Sequence, residues 1–177
     1  VLETWHEAMT SACDYGTMIH KVMEDYLADD IKDPQHQSFY DSYQKWDHIF
    51  NKFPLLTCEK MLYSIEENIA GTGDLIYENP THFYVGDYKT NKAFRFINDF
   101  NEYFKAPLEH LGVCEFNTYA LQLSLYAYMY ERSSGKKCAG LVIFYRNKVD
   151  NTWYPIRLNY LKMEVKAMVE DFNLNHL

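Results

Sequence analysis

The sequence predicts an α/β fold, a central mixed β-sheet flanked by α-helices, and three observations carry that expectation. Apolar residues recur at helical spacing near the N-terminus, again between about residues 117 and 133, and once more near the C-terminus. Between these stretches lie β-rich runs punctuated by Gly, Asn, Asp and Pro. Taken in order, helix, three strands, helix, two strands and helix build one sheet with helices packed against it. At 177 residues and 47% hydrophobic composition the chain is expected to form one domain over 1–177.

Residues 3–27 are expected to be helical, with Ile19, Met23 and Leu27 as the apolar stripe and His20 and Glu24, four apart, sharing a face at its edge. Gly16 within that helix costs about 1 kcal/mol relative to Ala, which suggests close approach of another backbone or a break between two shorter helices. A second helix is expected over 35–52, with Phe39, Tyr43, Trp46 and Phe50 facing inward. Residues 55–64 form a strand carrying Glu59.

The stretch 69–89 reads as a β-hairpin: an apolar run to Tyr77, a break at Glu78-Asn79-Pro80, and a second β-rich run from His82. Alternation on the second strand projects Asp87 and Lys89 from one side and Tyr88 from the other. If Asp74 points the same way, two carboxylates and an ammonium meet, a divalent-metal site with a cationic neighbour. A register that sets Asp74 opposite Asp87 also sets Tyr77 opposite Tyr84, with a loop over 78–83; a one-residue slip separates the acids. The alternative is that Asp87 and Lys89 form only a surface ion pair.

Residues 94–104 are apolar and aromatic without a clear period. A helix follows over 117–133, with Asn117 or Thr118 as N-cap, Gly135 just past the end, and Leu121, Leu125, Tyr128 and Met129 as its core stripe. Strands are expected over 138–146 and 153–158, then a closing amphipathic helix over 160–172.

Composition narrows the function. A net charge of −8 weighs against a nucleic-acid partner, although part of it belongs to the prospective metal site and a bound cation inverts the local sign. Sixteen Tyr and eleven Phe offer stacking surfaces for unpaired bases. The cysteines, Cys13, Cys58, Cys114 and Cys138, form no C-x-x-C pair and are expected to be buried, reduced thiols. No apolar run is long enough to span a membrane and no signal-peptide pattern opens the chain, so an intracellular, cytoplasmic or host-cell interior, location is expected.

Gly71-Thr72-Gly73-Asp74 followed by Asp87-Tyr88-Lys89 resembles the Asp…(Asp/Glu)-x-Lys signature of the PD-(D/E)XK nuclease superfamily, in particular its RecB-like exonuclease branch. Gly16 to Glu24 is similar to that branch's Gly-x-x-x-His-x-x-x-Glu helix, and Tyr119-x-x-Gln122-x-x-x-Tyr126 to its Gln-x-x-x-Tyr helix. The resemblance spans His20 to Tyr126. It implies a restriction-endonuclease-like core and hydrolysis of DNA phosphodiester bonds, exonucleolytic rather than endonucleolytic, on single strands or ends, in the setting of repair or recombination. It also implies Mg²⁺ or Mn²⁺ held by His20, Asp74, Asp87 and the carbonyl of Tyr88, and a catalytic set of Asp74, Asp87, Lys89, Gln122 and Tyr126, in which Gln122 and Tyr126 line the cleft and position the lysine or the DNA. Glu24, Glu59, Lys92 and Arg95 are candidates for supporting or DNA-contacting roles. Some relatives carry an iron–sulfur cluster on one early and three closely spaced late cysteines; this spacing differs, and no cluster is expected. Relatives that thread a free end often close the path with an extra helix or a ring of subunits, so an oligomer is open. The competing functions are a nucleic-acid-binding module with a vestigial site and a metal-dependent hydrolase of a small phosphorylated substrate.

Overall fold

Five strands pair into one sheet in sequence order: β1 (Leu55–Ser64), β2 (Ile69–Glu78), β3 (His82–Lys89), β4 (Lys137–Asn147) and β5 (Thr152–Leu158). The structure, a computed structural model, describes residues 2–176, with side chains for residues 10–11 and 13–175. All neighbours run antiparallel except β3 and β4, which are parallel. Parallel neighbours need a crossover, and it is supplied here by residues 90–136, which contain α3 (Glu115–Ser134). The sheet is therefore mixed, as expected from the order of elements.

Strand alternation feeds two cores. On one face Ile19 and Met23 of α1 (Leu2–Asp29), and Phe39 and Tyr43 of α2 (Gln37–Gln44), pack with Leu75, Tyr77, Tyr88, Phe144 and Trp153. On the other, Leu62, Ile76, Phe83, Val85 and Ile143 meet Ala120, Leu123, Ala127 and Met129 of α3. The last helix, α4 (Lys162–His176), closes on α3 through Val165, Val169 and Tyr128. Each fully buried large apolar side chain contributes about 1.5–3 kcal/mol.

Several expectations are corrected. Residues 35–52 form a 3₁₀ turn at Pro34–His36, the short helix α2 and a second 3₁₀ turn at Asp47–Phe50, in place of one helix. The inward stripe survives because Trp46 reaches sideways: its indole donates to the carbonyl of Trp153 at 2.7 Å, while the Trp153 N–H donates to Ser42 Oγ. Both bonds cover the open edge of β5, which would otherwise present unpaired backbone groups. The β2–β3 loop is shorter than expected, since Glu78 still pairs with Phe83, and Asn79 Oδ1 closes the turn by accepting the N–H groups of Thr81 and His82. Helix α3 starts at Glu115, with Cys114 rather than Asn117 or Thr118 in the N-cap position; Asn117 instead donates to the carbonyl of Gly112. It ends at Gly135 in the left-handed conformation, as the sequence suggested. Cys114 is buried and Cys58 and Cys138 half-buried, with thiols pushed up to about 11 for Cys58 and about 12 for Cys138, chiefly by burial; Cys13 is exposed.

Helix α1 passes through Gly16 without a break, and no backbone crowds it. A methyl there would stand 3.5 Å from Thr90 Oγ1, an ordinary contact. Gly16→Ala is therefore expected to stabilise the fold by about 0.5–1 kcal/mol, measurable as a raised denaturant midpoint at unchanged slope.

Candidate metal centre

The centre forms where β2 and β3 part. Their ladder carries the register Tyr77↔Tyr84 and ends at Leu75↔Gly86, one pair short of setting Asp74 opposite Asp87. The parting leaves the N–H and carbonyl of Tyr88 without a strand partner, and side chains take both. Asp74 Oδ2 accepts the Tyr88 N–H at 3.1 Å, and His20 Nε2 donates to the Tyr88 carbonyl at 3.0 Å. A neutral imidazole that donates through Nε2 has a bare Nδ1, and this atom lies 3.2 Å from Asp74 Oδ2.

Glu59 enters from β1 by a backbone irregularity. Pairing is regular at Cys58↔Leu75 and Lys60↔Gly73, but between them Glu59 has a φ of 47°, the left-handed region, which costs an L-residue about 1 kcal/mol or more. Ligand atoms of His20, Glu59 and Asp74 all lie within 4.8 Å of one another. This gives Glu59 a larger place than the supporting one suggested by its position in a strand; nothing in the sequence marks the unusual backbone conformation.

Asp87 and Lys89 stand together on the α3 face, with Tyr88 turned into the opposite core. Lys89 Nζ is 2.5 Å from Asp87 Oδ2, but the pair is not a surface one: Asp87 is 2% exposed. Neither Asp87 oxygen receives a directed hydrogen bond, and burial together with the adjacent Asp87 carboxylate drives Asp74 from the usual carboxylate range up to about 9. A half-buried acid beside a buried one favours keeping a proton or taking up a further cation. Burial by itself would lower the Lys89 pKa, but Asp87 and Asp74 outweigh it and the net shift is upward, which keeps Lys89 an ammonium. Its Nζ also lies 5.0 Å over the ring of Tyr119, a clamp read in the sequence only as the first residue of a helix pattern.

The remaining expected residues are arranged around this point. Gln122 Nε2 donates to Tyr126 Oη at 3.3 Å, and the Tyr126 ring lies so close to Gly71 that a Cβ there would stand 2.7 Å from it. Gly71 is thus required by close packing, and Tyr119, Gln122 and Tyr126 carry one face of α3 from Lys89 across β2. Glu24, bonded to Lys21 at 3.2 Å, is outside the group formed by His20, Glu59 and Asp74, and so is Asp87, which lies beside Asp74 and pairs with Lys89. Lys92 is exposed beyond β3. Arg95 is not a free cation: it forms a two-pronged pair with Glu115 at 2.7 and 2.9 Å.

No family model matches the chain, and no curated protein matches it. Among solved structures the chain is similar to the crystal structure of "Putative exonuclease" from Eubacterium rectale, with 13% sequence identity and a TM-score of 0.56, covering 93% of this chain and 65% of that one. The chain thus spans just under two thirds of the length of that protein. A second structure, named SSO0001, aligns at 15% identity and a TM-score of 0.36 over 94% of this chain and 71% of that one. The first likeness shows a shared α/β fold. No helix among the described residues is long and apolar enough to cross a membrane.

The raised Asp74 fixes a pH dependence. Its carboxyl keeps a proton up to about 9 in the fold against an ordinary value of 3.8, so its contribution to stability is complete below the ordinary value and is lost as the pH rises through about 9. In divalent-free buffer, stability is expected to fall between pH 5 and pH 9 by this contribution. Mn²⁺ binding at pH 7 is expected to release about one proton per site, read by titration calorimetry in buffers of different ionisation enthalpy.

Proposed function

We propose that this chain is a metal-dependent DNA nuclease of the RecB-like branch of the PD-(D/E)XK superfamily, hydrolysing phosphodiester bonds in single-stranded DNA or at DNA ends, with exonuclease action. The observation that carries the reading is the convergence of His20, Glu59 and Asp74, from α1, β1 and β2, with the Asp87–Lys89 pair of β3 beside Asp74, where the β2–β3 ladder ends. The likeness in fold to the Eubacterium rectale protein supports it.

The donor set fits Mg²⁺ or Mn²⁺. A buried Asp87 in contact with Lys89, an Asp74 that burial and the adjacent Asp87 keep protonated, and Glu59 beside Asp74 make an oxygen-rich site. The imidazole of His20 favours Mn²⁺ more than an all-oxygen site would. His20, Glu59 and Asp74 would hold the ion, and Asp87, next to Asp74, and the Tyr88 carbonyl, which here fixes the ring of His20, would complete the set. Such an ion supplies Lewis-acid polarisation of the scissile phosphate and acidification of a bound water.

The chain's own groups do the rest. Lys89 remains charged and is held from two sides, by Asp87 and by the ring of Tyr119, so it offsets negative charge developing on the phosphorane rather than taking a proton. Gln122 and Tyr126 would face the substrate from α3, and Glu24 of α1 and Lys92 beyond β3 would serve as supporting or DNA-contacting residues. Two other outcomes would point elsewhere: binding of DNA without metal-dependent cutting to a vestigial module, and hydrolysis of a small phosphorylated substrate uncompeted by single-stranded DNA to a different hydrolase.

The test compares wild type with Asp87→Ala and Lys89→Ala on end-labelled single-stranded, duplex and circular DNA with Mg²⁺ or Mn²⁺. Each substitution is expected to lower the cutting rate by roughly a hundredfold or more; wild-type rates in either variant would refute the assignment.

A further inference from the structure

The segment that leaves β3 beyond Lys89 exposes more aromatic and apolar surface than a solvated loop needs. Phe96, Ile97, Phe100 and Tyr103 are 58%, 69%, 68% and 56% exposed. They are not on a loose strand. Arg95 is locked to Glu115 through its side chain and through its backbone N–H, its carbonyl accepts from Phe116 N, and its guanidinium lies 5.3 Å from the ring of Phe100. Asn98 and Glu102 exchange two hydrogen bonds, and Val113 N donates to the Glu102 carbonyl. A rigid segment that holds large apolar groups in water is pre-organised to bind.

The exposed rings also join the candidate centre. From the Tyr119 ring beneath Lys89, contacts pass to Phe94 at 5.8 Å and from Phe94 to Phe96 at 5.1 Å, which leads out to the surface. Charge indicates which ligand suits them. In residues 90–113 the three cations Lys92, Arg95 and Lys105 are cancelled by Asp99, Glu102 and Glu109, and the whole chain carries −8. Phosphate neutralisation therefore supplies little affinity here, whereas stacking on a ring needs no net charge and is open only to bases that are not already paired.

We infer that the segment from Phe94 to Tyr103 is a stacking platform for unpaired bases, which seats a single strand so that its backbone reaches Lys89. The inference rests on the nuclease reading and adds to it the element that selects an unpaired strand. Phe96 and Phe100 supply the outer rings, and Arg95, pinned by Glu115, stiffens Phe100.

The experiment measures equilibrium binding by fluorescence anisotropy, in EDTA so that nothing is cut. Its probes are three labelled oligonucleotides of one length: a single strand, the same sugar–phosphate strand without bases, and a blunt duplex. The intact full chain is expected to bind the single strand at least about tenfold more tightly than the other two, with a shallow salt dependence. Phe96→Ala and Phe100→Ala are each expected to reduce binding of the intact strand by roughly 5- to 100-fold, and Phe100→Trp to retain it. Equal affinity of the wild type for intact and base-free strands overturns the platform, and that comparison stands even if an alanine variant fails to fold. Unchanged preference in folded Phe96→Ala and Phe100→Ala overturns it as well, as does sedimentation showing that these rings serve only to join two copies of the chain. Failure of the nuclease reading is seen separately, as absence of metal-dependent cutting by the wild type.

Discussion

Two carboxylates, buried Asp87 and half-buried Asp74, stand side by side where the protein offers a single lysine in ion-pair contact, and this imbalance governs the rest of the site. Lys89 pairs with Asp87, so Asp74 is left to keep its proton, and Glu59 adds a further acid within 4.8 Å of it. An arrangement that costs the metal-free protein stability is difficult to explain as packing alone, because apolar residues of similar size would fill the same volume without a desolvation penalty. It fits the proposed function, in which a doubly charged ion occupies this place.

The fold supplies this place by ending a ladder early. Tyr88 is the pivot: its ring is buried near Tyr43, Phe144 and Trp153, which fixes the strand, while its backbone groups are turned toward the gap where β2 has moved away. Buried backbone groups must find partners, and the two that find them here, Asp74 and His20, are thereby set at the centre. The same requirement that keeps a sheet intact elsewhere thus orients the ligands at its opening. On the far side, Gly71 lets Tyr126 lie directly on β2, which brings α3 close enough for Tyr119 to reach Lys89.

Under the proposed function, charge and surface divide the work of recognition. A chain of net −8 with an acidic centre gains little from phosphate neutralisation, and Arg95, one of the candidate DNA-contacting cations, is committed to Glu115. What lies next to the centre instead is a firm aromatic surface. Likeness of fold at 13% identity carries no residue roles with it, so these assignments rest on the geometry of this chain.

The sequence by itself determined the succession of elements, the apolar stripes of α1 and α3, the turn at Asn79 and the side-by-side placement of Asp87 and Lys89, because each depends on neighbours a few residues away and on fixed periods of 3.6 and 2. The hairpin pattern also pointed to Asp74 as a partner of that pair, and the resemblance of Gly16 to Glu24 to a family motif pointed to His20. Only the tertiary structure decided that the second helix breaks where Trp46 reaches Trp153, that Glu59 adopts a left-handed backbone beside the centre, that Tyr119 carries Lys89, and that Arg95 is spent on Glu115. Those four outcomes join residues 20 to 107 positions apart or depend on one strained dihedral, and no local pattern encodes either. They are settled by which buried polar groups find partners once the sheet has closed, a condition that exists only in the folded chain.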